Sequence, residues 1–332
     1  MISKGRQREV HTAALQLLSE IAQDDTEPVD VFTAIRDIGV WLIFQPLPNL
    51  LGVTLRQGAG GIMVTTERSA NIQRYTAAHE LGHWLLHRFD ATWDTDETVL
   101  GHATTAREQE AQLFASYFLM PRRLVRRVLN RYGVTTGADL TPLTLYQVSR
   151  DLHVSYEAAA MHLTNLRILT RWQQAELRQA RPIDLKTQLN NGLRPANPLA
   201  DVWPLDIGSE PLIVTADDEV SIWLPERATA GYRWETQVSG DALQVVQDAP
   251  TPPPGNGRPR AIERGPAPRA GGVGGRQIVL RAENAGAWDV DLALRRSFSP
   301  AEPVDALNFT GWVQEKPAIA NSPHLLQQLG AA

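Results

Sequence analysis

Apolar positions fall at helical spacing through residues 8–22, REVHTAALQLLSEIA, and predict an amphipathic helix. Asp30 and Thr33 then open a short helix that Gly39 closes. Three short runs follow, VWLIF (40–44), LGVTLRQ (51–57) and GIMVTT (61–66). Pro46, Pro48 and a Gly58–Gly61 turn separate them, so they predict a small sheet. TAAHELGHWLLHRF (76–89) reads as a helix, residues 90–105 as a polar loop, and a second helix runs from near Ala106 to Pro121. Beyond it, RRLVRRVLNRYG and TPLTLYQVSRDLHVSYEAAAMHLTNLRIL read as three or four further helices, with Val154 and Ser155 as turn and N-cap before the last long one. Residues 176–204, punctuated by Pro and Asn, read as a linker. From about residue 211 the pattern changes to alternation. Seven strands (PLIVTA, EVSIWLP, YRWETQV, ALQVVQ, RQIVLRA, AWDVDLALR, NFTGWVQE) predict an all-β sandwich over 205–320. Within it, residues 249–275 hold seven Pro and seven Gly among 27 positions and are expected to form a mobile loop. The expected fold is therefore multidomain: an α+β domain with a helical tail over 1–175, then the sandwich.

Composition narrows the setting. The 332 residues suffice for two domains with their own cores, and there is no cysteine, which excludes disulfides and thiolate metal sites. No run approaches the roughly 18–20 apolar residues of a membrane span, and the first twenty residues lack the apolar stretch of a signal peptide. A cytoplasmic protein without a membrane role is expected. The net charge of −5 is uneven: residues 1–200 carry 21 basic and 20 acidic side chains, the remainder 11 and 17. Neither part has the basic excess of a nucleic-acid binder.

His79 and His83 are four residues apart, so both imidazoles leave one helix face about a turn apart. That spacing lets two nitrogens reach one tetrahedral metal ion. Glu80, rotated by about 100°, comes beside the open coordination position and suits a general base. Ala77, Ala78 and Gly82 are small and let another element approach closely; Gly82 costs about 1 kcal/mol in a helix interior. A catalytic ion takes a third protein ligand. His87 lies eight residues from His79, about 12 Å along a straight helix, too far for one ion. In AREQEAQLFASYFLMP, Glu108 shares a face with Gln112 and Ser116, which reads as solvent, whereas Glu110 shares one with Ala111, Phe114, Tyr117 and Phe118, which reads as core. A carboxylate on a buried face needs a partner, so Glu110 is the expected third ligand.

RYTAAHELGHWLLH followed some thirty residues later by EQEAQLFASYFLMP resembles the ImmA/IrrE family of metallopeptidases, over roughly residues 10–170. The resemblance implies a zincin-like fold, His79, His83 and Glu110 as ligands of Zn2+ (or Mn2+), and Glu80 as the catalytic residue. It further implies cleavage of a helix-turn-helix repressor of the XRE type, freeing stress, phage or mobile-element genes. Tyr117, His102 and Arg74 are unranked candidates for stabilising the oxyanion. Arg122, Arg123, Arg126, Arg127 and Arg131 crowd one short helix. One reading makes the chain a DNA-binding regulator using this tail; the alternative, a solvated or docking face, is expected here.

In the second half, LPERATAGYRW, GGVGG and LRRSFSP fall at three inter-strand positions and resemble chagasin-like inhibitors of papain-type cysteine proteases, an immunoglobulin-like fold that inserts three loops into the protease cleft. The resemblance implies that Thr229, Gly231 and Tyr232 belong to the first loop, Gly272, Gly274 and Gly275 to the middle loop, and Arg296 and Phe298 to the third. Arg227, Ala228 and Ser297 depart from the pattern and remove prolines that would preorganise the loops. The expectation is a regulatory or targeting domain, with a cysteine-protease inhibitor as the alternative.

Overall fold

A computed structural model of the protein describes residues 2–56, 60–68, 70–87, 92–94, 105–205, 211–226, 231–251, 274–296 and 302–314. These fall into two compact units, 1–180 and 181–316.

The first unit opens with α1 (Lys4–Glu20), capped by the Ser3 hydroxyl accepting from the Arg6 backbone N–H, and buries Val10, Ala14, Leu17 and Leu18. Asp30 caps α2 (Val31–Asp37) through its carboxylate. A four-stranded sheet follows in the order β1 (Leu42–Gln45), β3 (Gly61–Thr65), β2 (Gly52–Leu55), β4 (Thr92–Asp94). β1 runs parallel to β3, and β2 runs antiparallel to both β3 and β4. β4 lies within the stretch that reads as loop from sequence. Helix α3 (Ala70–Leu86) packs on β2 and β3, and α4 (Ala106–Leu119) packs on α3 and α1. Three further helices reach Asn165, namely α5 (Arg122–Arg131), α6 (Pro142–Asp151) and α7 (Tyr156–Asn165), and α8 (Arg171–Leu177) completes the tail. Thr105, Thr141, Ser155 and Thr170 cap α4, α6, α7 and α8 by accepting backbone N–H groups. The expected α+β domain with its helical tail is present.

The second unit is a sandwich of two four-stranded sheets. One has the order β5 (Val202–Leu205), β7 (Glu219–Glu226), β10 (Gly274–Ala282), β9 (Leu243–Thr251). The other has the order β6 (Leu212–Thr215), β12 (Asp305–Gln314), β11 (Gly286–Arg296), β8 (Tyr232–Ser239). Trp234, Trp288, Ile222, Leu224, Ile278, Leu280, Val290 and Phe309 fill the space between them. All seven expected strands are present, with β5 as an eighth. The interval that reads as a linker is folded from residue 181 onward into this unit. It carries α9 (Pro182–Leu189), whose Leu189 is fully buried. Asn190 Nδ2 donates to Glu219 at 2.6 Å, and Gln277 Nε2 donates to the Asn190 carbonyl at 2.6 Å. Its Pro and Asn residues shape a short helix and the turns that dock it, rather than an extended tether.

Candidate metal centre

Helix α3 presents His79, Glu80 and His83 from its buried half, against the sheet on one side and α4 on the other. Two glycines make this possible. A Cβ on Gly82 would lie 3.1 Å from Ala111 Cα and 3.2 Å from the Phe114 side chain, so Gly82 sets how closely α4 approaches. A Cβ on Gly52 would lie 2.4 Å from Glu80 Oε1, so this strand position must be bare for the carboxylate to sit where it does. Thr54, two residues along β2, donates its hydroxyl to Glu80 Oε2 at 2.5 Å.

The histidines meet a carboxylate from α4, and it is that of Glu108. His79 Nε2 lies 3.1 Å from His83 Nε2, and Glu108 Oε2 lies 3.2 and 3.4 Å from these two nitrogens. Ligand atoms arranged tetrahedrally at roughly 2.0–2.1 Å from one ion are spaced by about 3.3–3.4 Å, so the three edges fit a divalent ion of zinc's size. Two imidazole nitrogens and a carboxylate oxygen also form a suitable donor set. Burial works to raise the Glu108 pKa, yet the adjoining imidazoles of His79 and His83 outweigh it and hold the carboxyl well below the usual range.

The expectation of Glu110 as third ligand is thus corrected. Glu110 is buried, as expected, but its Oε2 accepts from Arg6 of α1 at 2.7 Å and lies 3.0 Å from His87 Nε2. Those partners outweigh the burial that would raise its pKa and hold it low. The face of α4 that reads as solvent from Gln112 and Ser116 instead packs on α3; Ser116 is buried, and Tyr75 Oη donates to the Gln112 carbonyl at 3.4 Å. Glu108 follows three residues after the N-cap Thr105, which accepts its backbone N–H, so in sequence it reads as an ordinary first-turn acid. Thr54, Gly52, His87 and Arg6 are further participants that no single motif marks. Spacing along β2 was the one available signal for the first two.

Of the oxyanion candidates, Arg74 is directed elsewhere: its guanidinium donates to the Val29 carbonyl at 2.8 Å, and burial lowers its pKa to about 10. Tyr117 packs at a tilt of 33° against His11 and meets the edge of His162, with ring centroids 4.2 and 5.3 Å away. His102 lies outside the described residues. On α5, Arg123 pairs with Asp25, Arg127 with Glu27 and Arg131 with Asp151, so much of the arginine row faces the protein's own acids.

In the sandwich, Thr229, Gly272 and Phe298 lie outside the described residues. Gly231, at φ +76°, turns the chain into β8. Tyr232 begins β8 and Arg296 ends β11, directly opposite one another; Arg296 Nε donates to Tyr232 Oη at 2.7 Å and its guanidinium lies over the ring. Gly274 and Gly275 are corrected from loop to strand: they open β10, paired with Glu226 and Pro225. A Cβ on Gly275 would lie 2.3 Å from the Trp223 ring, so the glycine is required by packing. Glu226 ends β7, Thr251 ends β9 opposite Gly275, and Glu226 Oε2 accepts from Trp234 N at 3.1 Å. The strands that bound the three loop positions therefore all terminate at one end of the sandwich.

Residues 35–164 match the IrrE N-terminal-like domain of the M78 peptidases, and residues 213–310 match the chagasin family of peptidase inhibitors, I42. No curated protein matches the chain. Among solved structures, it is similar to the cysteine protease inhibitor EhICP2 from Entamoeba histolytica at 19% identity, covering 35% of this chain and 96% of that one, with a TM-score of 0.28. Amebosin is similar at 19% identity, 35% and 97% coverage and a TM-score of 0.24. PbICP-C, solved in complex with falcipain-2, is similar at 15% identity, 35% and 99% coverage and a TM-score of 0.20. The chain therefore joins an M78 metallopeptidase-type domain of the IrrE N-terminal-like family to a domain of the chagasin inhibitor family.

Proposed function

We propose that the protein is a cytoplasmic, metal-dependent endopeptidase that cleaves a helix-turn-helix repressor, with its chagasin-like domain regulating or targeting the reaction. The convergence of His79, His83 and Glu108 beside Glu80 carries this reading. A divalent ion, Zn2+ or Mn2+, held by those three side chains would supply a Lewis acid that activates water and polarises a peptide carbonyl. Glu80 takes the proton from the attacking water and delivers it to the leaving amine. Thr54 holds one oxygen of that carboxylate, and Gly52 leaves room for it, so the base is positioned before substrate arrives. The acidic excess of the second half suits a basic, DNA-binding substrate.

The test uses the intact chain, a divalent metal salt and the helix-turn-helix protein encoded nearest to it. Cleavage is expected, and it is abolished by a chelator. Glu80→Gln retains the metal while cleavage falls by about two or more orders of magnitude. Wild-type cleavage by Glu80→Gln removes Glu80 as the base. The second reading, inhibition of papain-type proteases, is favoured by the chagasin family match and by Tyr232 and Arg296 meeting at the end where the loop-bounding strands terminate. Submicromolar inhibition of papain by the intact chain, lost in Tyr232→Ala, would establish it over the regulatory reading.

A further inference from the structure

Behind the three converging side chains lies a second row of polar groups that the proposed chemistry does not use. His87 Nδ1 lies 2.9 Å from His83 Nδ1, and His87 Nε2 lies 3.0 Å from Glu110 Oε2. The same carboxylate oxygen accepts from Arg6 at 2.7 Å. His83 and His87 are both buried.

The donor and acceptor order of this row has one consistent solution. An ionised carboxylate only accepts, so at Glu110 the hydrogen must come from His87 Nε2. A neutral His87 then has its lone pair at Nδ1 and accepts from His83 Nδ1–H. A neutral His83 has one ring hydrogen, and with it at Nδ1 the lone pair is at Nε2. That nitrogen faces His79 Nε2 and Glu108 Oε2.

We infer that Glu110 and His87 form a relay, anchored by Arg6 of α1, that fixes His83 in the tautomer presenting its Nε2 lone pair to the metal centre. Carboxylates that orient a ligating histidine usually bind it directly; here one more imidazole stands between them. Glu110 and His87 are positioning residues, and the relay links the N-terminal helix to the site. The inference rests on the metal-centre reading, but its first measurement needs no metal.

Long-range 1H–15N correlation spectra of the metal-free, intact chain report which ring nitrogen of His83 carries hydrogen. The Nδ1–H form is expected; the Nε2–H form overturns the relay without any substitution. The second measurement is Zn2+ affinity by competition with a chromogenic chelator. His87→Phe keeps the bulk and removes the acceptor, and is expected to weaken binding about 10- to 100-fold. His87→Asn places a carbonyl oxygen near the former Nδ1 and is expected to recover most of that loss. Unchanged affinity in His87→Phe, or equal losses in both variants, would reduce the row to packing and overturn the proposal. A wild-type chain that binds no divalent ion defeats the metal-centre reading alone, and the His83 tautomer still decides the relay.

Discussion

Gly52 and Glu108 show how single positions set the candidate site. Adding one carbon at Gly52 places it 2.4 Å from Glu80 Oε1, 2.7 Å from Thr76 Cγ2 and 2.8 Å from Glu80 Cγ, so Gly52→Ala is expected to displace the proposed base; none of the three atoms it meets belongs to His79, His83 or Glu108. Metal content is expected to stay at the wild-type level and cleavage to fall by at least about tenfold, since misplacing a reacting group by an ångström costs up to about 10²-fold. Loss of metal in this variant would show that Gly52 supports the whole centre. The two glutamates of α4 separate in the same experiment. Glu108→Gln is expected to weaken Zn2+ binding more than Glu110→Gln, whose loss stays within about 10- to 100-fold because it acts through His87. The reverse order would restore Glu110 as the ligand. Sequence alone identifies His79, Glu80 and His83 as one cluster, because four-residue spacing on a helix is local geometry. It misleads at Glu108 and Glu110, because which face of α4 meets α3 and which meets α1 is decided by packing between elements far apart in the chain. Burial of Glu110 is legible from its neighbours; its partner Arg6, 104 residues away, is not.

At the scale of elements, the periodicities locate most helices and strands, and the exceptions, β4, β5, α8 and α9, are all short. β4 and β5, of three and four residues, have too little sequence to show alternation and exist by pairing with β2 and β7. Helix α9 hides in a Pro- and Asn-rich interval because it is stabilised by docking as well as by its own pattern. Glu219 is buried, with Asn190 Nδ2 at 2.6 Å and Ala196 N at 3.1 Å donating to it, and Lys186 Nζ donates to the Pro198 and Ala200 carbonyls. These contacts predict where the second unit must be cut. A fragment beginning at residue 205, the boundary the strands alone suggest, strips Glu219 of both donors, leaves it Arg281 Nη2 at 4.0 Å, and removes β5 from the edge of β7. It is expected to be less stable than a fragment beginning at 181 by about 2 kcal/mol or more, from the lost hydrogen bonds alone. Urea midpoints of the two fragments check this. Equal midpoints would show that α9 and the following turns are dispensable.

Across the whole molecule, the two units hold buried titratable groups of opposite consequence, and acid should separate them. His162, in α7, is enclosed; its Nε2 lies 2.9 Å from the Met120 carbonyl, and burial lowers its pKa from 6.5 to about 4. The folded unit holds it neutral, so on acidification the unfolded chain takes up the proton first. Stability of residues 1–180 is therefore lost as pH falls from about 6.5 toward 4, by up to about 3 kcal/mol from this group. Glu108 and Glu110, both held low, add losses further into acid. In residues 181–316, Asp218 receives backbone N–H groups from Asp201 and Thr215 and the indole N–H of Trp203, yet burial and the charge of Asp201 raise its pKa to about 6. Here the folded state takes up the proton first, so its stability rises as pH falls from about 6 toward the ordinary value of 3.8. Melting the metal-free chain at pH 7 and pH 5 should thus move two transitions apart. The one followed by helical ellipticity at 222 nm, which residues 1–180 dominate, shifts down; the one followed by tertiary signals of the sandwich tryptophans holds or shifts up. His162→Gln is expected to flatten the first shift between pH 6.5 and 5 and leave the second untouched. Parallel downward shifts of both transitions, unaltered in His162→Gln, would show that neither buried group governs the acid response.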